Sequence, residues 1–407
     1  MDAGTPSADR RGRYPSARII WILAATFLFL GAVLFAWVPG VLLRSWLPDA
    51  DLEERTKMLG TAGQLVLFGL GGVIAITGVA LSLSRHGQEL MASEREAEAH
   101  KQSRDRDLRA RFVTAVELLS DSESPVKRVS ALYALSALAD DWDTLGREDE
   151  VQVCVDVICG YLRAPLADGV GRTPKDEISV RRAGYDLIAV HLRQNIPYVA
   201  KRRNSHSWSE RLLDLSRVHI DFDVDLSSAV FNELLNLRDA TVTGEGRLNL
   251  VNSSIEGLGH IDLSNSHIAT GARIDLRNSV CDAHPAVSFD ESTINGEISM
   301  DRIELHEDAW LAFARADIGK GAHIDLTDAT IVDRGCVTFE GAQITGDARV
   351  DLLNVCVVPD GDDSPISAVL SFEGVTGLEG AVIDSTARSG TMQLPDGSYI
   401  VPTLVST

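Results

Sequence analysis

The spacing of apolar residues changes character several times along the chain, and each change marks a predicted element. Residues 19–43 and 58–84 are two runs without a charged side chain, each as long as the roughly 20 residues a bilayer-spanning helix requires. Residues 85–111 alternate in charge and lack aromatic side chains, a pattern that fits a solvated helix, with a short self-association stalk as the alternative. From Phe112 the apolar residues take helical spacing: Phe112, Val113, Val116 and Leu119; then Val129, Leu132, Leu135 and Leu138; then Val151, Val155, Ile158 and Leu162; then Ile178, Tyr185, Ile188 and Leu192. Four helices are predicted, the second opened by Pro125 and the fourth set apart from the third by the Gly- and Pro-containing residues 164–174.

After Leu213 the helical period gives way to a repeat. Written from Asn236 in 13-residue rows the chain reads NLRDATVTGEGRL, NLVNSSIEGLGHI, DLSNSHIATGARI and DLRNSVCDAHPAV; an 11-residue row, SFDESTINGEI, follows, and the 13-residue phase resumes from Ser299. In the row from Asp325, Ile324 and Leu326 share one face of a strand, Asp325 points out, and Ile331 points in again. No copy is long enough to bury its own apolar side, so copies must stack into a solenoid with ladders of like residues down a central core. The 2-then-5-then-6 spacing excludes helices.

The two apolar runs predict a transmembrane helical hairpin over residues 19–84. Trp21, Trp37 and Trp46 flank the first run, where amphipathic rings favour the headgroup level. A cleaved signal peptide fits poorly, because the run is too long and no small-x-small site follows it. Basic residues cluster before the first run and after the second, which predicts both termini inside the cell and the loop of residues 44–57 outside. The expected localisation is therefore a multi-pass cell-membrane protein. Gly71/Ala75 and Gly78/Ser82 have the spacing that lets a second helix approach closely.

Charge adds an asymmetry. The net charge is −21, and from Asp214 onward 32 acidic residues face 11 basic ones, so the C-terminal half carries all of it. Such a surface repels phosphate backbones and favours basic partners. The five cysteines (Cys154, Cys159, Cys281, Cys336 and Cys356) are scattered and odd in number, which suits a reducing compartment and not a disulfide framework. Cys154 and Cys159 lack a second pair at zinc-ligand spacing.

Several segments resemble known families. Ala329-Thr-Ile-Val-Asp, Ala342-Gln-Ile-Thr-Gly and Ile324-Asp-Leu-Thr-Asp are similar to the A(D/N)LXX unit of pentapeptide-repeat proteins, in which a central Leu or Phe and a small residue two earlier face inward. The wider order of elements resembles bacterial membrane-anchored pentapeptide-repeat proteins. The resemblance implies a right-handed parallel β-helix. Here five-residue steps alternate with eight-residue steps, so two rows make one coil of about 26 residues and the shape of the cross-section stays open. Residues 125–139 resemble the second half of a HEAT-like helical repeat, with a small helical bundle as the equal alternative.

The predicted organisation is thus a basic N-terminus (residues 1–18), a transmembrane hairpin (19–84), a charged helical linker (85–111), a HEAT-like helical domain (112–195), a connector (196–213), a degenerate pentapeptide-repeat β-solenoid (214–385) and a tail (386–407). The fold class is a membrane-anchored α domain plus β-solenoid.

The chain has no Gly-rich phosphate loop, G-x-S-x-G elbow, H-E-x-x-H or C-x-x-C. His260, His267, His306 and His323 fall at outward or turn positions, and His306-Glu307-Asp308 reads as a solvated turn instead of a ligand cluster. Asp225, Asp262, Asp275, Asp325 and Asp351 recur before an inward residue, a repetition that predicts backbone capping instead of a catalytic pair. The trio Lys201-Arg202-Arg203 reads as a solvated connector or salt-bridge partner, and direct nucleic-acid binding is disfavoured. No catalytic, metal or cofactor site is predicted. The expected function is a non-enzymatic membrane-tethered scaffold presenting an acidic solenoid to a cytoplasmic protein partner. The alternative is a DNA-mimic regulator of a nucleic-acid enzyme such as a type II topoisomerase, a role that some pentapeptide-repeat proteins have; Arg247, Arg273, Arg277, Arg302 and Arg349 interrupt the anionic strip this would need.

Overall fold

A computed structural model of the chain describes residues 52–165, 174–193, 206–283, 287–332, 334–358, 369–377 and 382–389, with scattered positions between 25 and 41 and the short pairs 392–393 and 399–400. Helix α1, Leu52–Leu119, is continuous over 68 residues and passes without interruption through the expected boundaries at 84 and 111. Among the described residues no helix is long and apolar enough to cross a membrane. The expectation of two spanning helices, and the multi-pass localisation built on it, is corrected accordingly. The uncharged run of residues 58–84 does not form a self-contained apolar rod. It lies within a longer helix that carries Glu53, Glu54, Arg55 and Lys57 in front and runs on into the charged stretch behind, and residues 52–57, expected in an outside loop, are its first turns. Most of the first run, residues 19–43, lies outside the described residues. The side chains of residues 94–104 are exposed on every face of α1, as a helix polar all round requires.

The end of α1 joins the helical domain. Leu108, Ala115 and Leu119 are buried, and Arg109 donates to Glu150 at 2.9 Å. Helix α2, Pro125–Thr144, begins with proline in its first turn and Ser124 as N-cap, the place where a missing N–H costs nothing. Helices α3, Glu148–Leu162, and α4, Lys175–Leu192, follow. Both carry acidic residues in their first turns, which favours the positive end of the helix dipole. Their inward stripes (Leu132 and Leu135; Val155 and Ile158; Tyr185 and Ile188) are buried. Gly184 lies where an added Cβ would come within 2.9 Å of Leu162 Cδ2, so glycine sets the close approach of α4 to α3. The chain therefore has a helical domain at this position, followed by the solenoid.

From Leu213 every strand in the stack pairs in parallel with the strand one coil away. Each coil turns through four short strands that fall on four ladders. The first ladder has seven strands, from Leu213–Asp214 to Val369–Ser371, and the second has six, from His219–Ile220 to Gln343–Ile344. The third and fourth begin at Asp223–Asp225 and Val230–Phe231 and merge into one 12-stranded sheet, because the long strand Arg349–Val358 runs across both and pairs on with Val382–Ser389. The register takes Leu213 to Leu235, Ile261, Val287, Leu311, Val337 and Leu370, so most coils advance 24 or 26 residues. The stacked parallel β-solenoid expected from the repeat is present, and its coil has four sides.

The two- and three-residue strands work because alternate residues point in. Ile261, Leu263 and Ile268 are fully buried, and the position two before the central residue holds a small side chain in most rows, Ala240, Ser253, Ser266, Ser279, Ser292, Ala316, Ala329 and Ala342 among them. The buried serines keep a partner in the coil below: Ser279 Oγ donates to Leu250 O at 3.0 Å and Ser292 Oγ to Leu263 O at 2.8 Å. One inward column changes from Leu237 and Leu263 to Phe289, Phe313, Phe339 and Phe372. These four rings stack with centroids 5.0, 4.8 and 4.8 Å apart, within the range that aromatic pairs favour.

Corners after the first and third strands place one residue per row at positive φ: Arg217, Ser228, Asp239, Asn252, Asn265, Asn278, Glu291, Arg302, Arg315, Asp328 and Asn354, each between 55° and 59°. Asn and Asp tolerate this region, whereas other side chains strain in it. At Gly259 a Cβ would overlap the Phe231 carbonyl of the coil below, so only glycine passes there.

Helices α3 and α4 cover the first coil. Gln152 Nε2 donates to Leu212 O at 2.8 Å. Arg163 pairs with Asp214, and Arg193 donates to Ser227 O at 2.7 Å and Asp225 Oδ2 at 3.0 Å. Trp208 stacks on His191 with centroids 4.0 Å apart, and Phe222 meets the edge of Tyr185. The open end of the parallel stack, otherwise a row of unpaired backbone groups, is closed by helix ends and guanidinium groups.

Two outcomes test this packing. Leu326→Ala should cost about 2–5 kcal/mol in chemical denaturation, while Thr327→Ala should stay within about 0.5 kcal/mol; equal costs would mean the inward register is misassigned. Ser228, held at φ 59° with an exposed side chain, should be replaceable by glycine with a gain of about 0.5–1 kcal/mol in the same assay.

Candidate interaction surface

Because the interior of the coil is filled, side chains that can meet another molecule stand on the outward positions of the four ladders and at the corners. The third ladder collects the charges. One outward column runs Asp223, Arg247, Arg273, Glu297, His323, Arg349, and the next runs Asp225, Asn249, Asp275, Ser299, Asp325, Asp351. Opposite signs meet across and along the coils: Arg273 reaches Glu297 at 3.2 Å and Asp275 at 3.5 Å, Arg277 reaches Asp275 at 2.7 Å, and Asp351 accepts from Arg349 at 2.6 Å and His323 at 2.9 Å. At its N-terminal end this face holds a shallow groove of about 540 Å³. Of the five arginines marked in the sequence, Arg247, Arg273 and Arg349 share one column, Arg277 leans in from the corner, and Arg302 pairs with Asp301 at 2.8 Å on the corner itself.

The repeated aspartates do the backbone work expected of them at four of the five positions. Asp225, Asp262, Asp275 and Asp325 each accept the backbone N–H two residues on, at 3.0, 2.9, 3.3 and 3.0 Å. Asn236, Asn249, Ser288, Thr338 and Ser371 occupy equivalent corners with the same bond. Asp351 instead takes Arg349 and His323. Burial by itself would raise Asp225 and Asp351, but the bonds from Ser227 and Arg193, and from Arg349 and His323, outweigh it and hold both below the ordinary aspartate range. Asp214, capped by Ser216 and paired with Arg163, is lowered against burial in the same way.

The histidines do not converge. His306 lies 3.3 Å from Glu304, Glu307 sits at the positive-φ turn, and Asp308 accepts from Arg334 at 2.7 Å, so the His306-Glu307-Asp308 trio does not converge on one point. His323 is engaged with Asp351, His267 is exposed, and burial lowers His260. Among the described residues no group of three His, Cys, Asp or Glu could hold a metal ion. Cys154, Cys159 and Cys281 are buried thiols that burial pushes up to about 12, which keeps them from acting as thiolate nucleophiles. Lys201, Arg202 and Arg203 lie outside the described residues.

The helical domain contributes a charged cluster with no counterpart in the sequence patterns. Glu177 accepts from Arg181 Nε at 2.9 Å and from Tyr161 Oη at 3.0 Å, and Arg128 lies 3.3 Å away. Arg181 is buried and donates to Leu162 O at 2.8 Å and Ala164 O at 2.6 Å, satisfying the carbonyls left open at the end of α3. The residues come from three helices, so no local motif announces them. A cleft of about 760 Å³ opens beside this cluster, and the bonds of Glu177 and Arg181 tie the helices together there.

Fold and surface together define a helical domain joined to a parallel β-solenoid with a charge-patterned exterior. Compared with protein-family models, curated proteins and solved structures, the chain matches none.

The depressed aspartates set the sign of the acid response. Their bonds contribute in full above the ordinary value near 3.8 and are lost as pH falls through the lower folded values. Thermal melts should therefore hold steady down to about pH 4 and fall below it, and Asp351→Asn should flatten part of that fall; an unchanged acid slope in the variant would remove Asp351 from the account.

Proposed function

We propose that the chain is a non-enzymatic scaffold whose acidic solenoid is presented to a protein partner. What carries this reading is the exterior itself: strand side chains continue from coil to coil as regular outward columns, in a half of the chain where 32 acidic residues face 11 basic ones. Repetition suits an extended contact surface. The carboxylates engaged with backbone or guanidinium groups are held charged and occupied, and the buried thiols are protonated, which speaks for presentation over catalysis. A basic partner is the one such a surface attracts and steers.

The solenoid is further read as a degenerate pentapeptide repeat. Pairs such as Ala240 and Val242, Ser266 and Ile268, and Ala329 and Ile331 have the small residue two before the central one, both buried, and a right-handed coil belongs to the same reading. DNA mimicry is the weaker alternative. The acidity favours it, but a mimic needs an unbroken anionic strip, and Arg247, Arg273 and Arg349 stand in one column of the third ladder.

The test is capture of cellular proteins by the immobilised full-length chain. Retained partners should be basic, and their retention should drop as salt is raised above about 150 mM, where charges are screened beyond about 8 Å. Retention that ignores salt, or a retained set of neutral and acidic proteins, would contradict the acidic-scaffold reading.

A further inference from the structure

The cleft of about 760 Å³ in the helical domain is framed by the end of α1 and by α2, α3 and α4. Val116, Leu119, Val157, Pro165 and Pro174 give it apolar walls, while Arg128, Tyr161, Glu177 and Arg181 bring polar groups to it. Apolar walls with a few convergent polar groups, in a volume of roughly 300–1,000 Å³, are the form that small-molecule sites take.

These polar groups hold more donors than acceptors. Glu177 is the one carboxylate of the four and serves three donors, Arg181 Nε at 2.9 Å, Tyr161 Oη at 3.0 Å and Arg128 at 3.3 Å. Burial, and then the Glu177 carboxylate, push the Tyr161 hydroxyl above its ordinary range, so it stays a donor. Arg181 finds further acceptors in the Leu162 and Ala164 carbonyls; Arg128 is less well served. Its side chain is only 13% exposed, its bond to Ser122 O is stretched to 3.5 Å, and its Nε is buried without an acceptor. A buried charged donor in want of an acceptor is costly, and an occupant that supplies one is favoured. The rim carboxylates do not supply it: Asp121 is taken by Lys127 at 2.7 Å, and Asp176 is exposed, where solvent screens its charge. We propose that this cleft binds a small monocarboxylate with an apolar body, its carboxylate accepting from Arg128 and its body lying against Val116, Val157 and the two prolines. A planar carboxylate matches the guanidinium fork, and a single charge on an apolar body suits these walls better than the several charges of a phosphate. The inference goes beyond the scaffold reading and stands without it.

Titration of the full-length protein with hexanoate, acetate and hexanamide, followed by NMR at about 150 mM salt, tests the assignment. Hexanoate should bind saturably, and acetate, which lacks the body, and hexanamide, which lacks the charge, should each bind about tenfold or more weakly. Arg128→Gln should weaken hexanoate about tenfold or more, the scale of one charged hydrogen bond, and Arg128→Lys, which keeps the charge and loses the fork, should restore it only in part. Val157→Trp, which narrows the cleft and leaves the charged groups in place, is a second variant that should abolish binding. Arg247→Ala, on the solenoid, should leave binding unchanged, and circular dichroism checks that each variant is folded. Binding that survives both Arg128→Gln and Val157→Trp would place the site elsewhere, and hexanamide equal to hexanoate would remove the carboxylate; either result overturns the proposal, as does the absence of binding at about 10 mM hexanoate. Pro165 and Pro174 border residues 166–173, which lie outside the described residues. Hexanoate that binds only after these are replaced by a Gly–Ser linker would show the chain occupying its own cleft and would overturn the proposal. Tighter binding of a peptide with a free apolar C-terminus, lost when that end is amidated, would give the cleft to a protein chain end and overturn the small-molecule assignment.

Discussion

A coil of 24 or 26 residues built from strands of two or three has no core of its own. Its inward side chains leave water only when the next coil closes over them, and its strand N–H groups find carbonyls in the neighbouring coil, as in the bonds from Leu237 to Asp262 O and from Leu263 to Ser288 O. Apolar burial and backbone pairing are thus satisfied by the same contact. This fixes the register, since a slip of one residue would turn every Ile and Leu of a strand outward. It also explains the inward columns: positions that face their own kind in the next coil hold shapes that stack, as the Phe289, Phe313, Phe339 and Phe372 rings do.

A stack held by its neighbours is vulnerable at its ends, where one side of the last coil has no partner. At the N-terminal end the helical domain supplies one. Arg163 and Arg193 reach the first coil's carboxylates, and Arg193 also reaches a backbone carbonyl. Trp208 connects the first coil to His191 of α4. The helical domain thus belongs structurally to the solenoid, and its buried Glu177–Arg181–Tyr161 cluster serves to hold α3 and α4 in the arrangement that covers the first coil.

With the interior committed to stacking and one end to the helices, the exterior is the part left to carry function. Outward residues are released from packing and can vary from coil to coil, and they do so by face. The third ladder gathers three arginines and six carboxylates in two adjoining columns, while the leading column of the first carries Leu212, Leu234, His260, Trp310 and Cys336 in the described coils. The net charge of −21 is therefore an average over surfaces of different character.

Periodicity, the capping aspartates and the start of α2 at Pro125 could all be read from the sequence, because each depends on residues near one another in the chain or on a repeat that displays itself. The membrane reading shows the limit of that approach: an uncharged run looks self-contained in a linear window, yet residues 58–84 belong to one continuous 68-residue helix whose ends carry charge. Glu177 and Arg181 are an i,i+4 pair within one helix, but Arg128 and Tyr161 join them from two other helices, so the cluster as a whole stayed invisible. The division of the coil into four sides and the charged third ladder stayed invisible for a related reason. Residues 22 to 26 apart become neighbours only when the coils stack, and the chemistry of a face is set by that long-range register, which no short window of sequence contains.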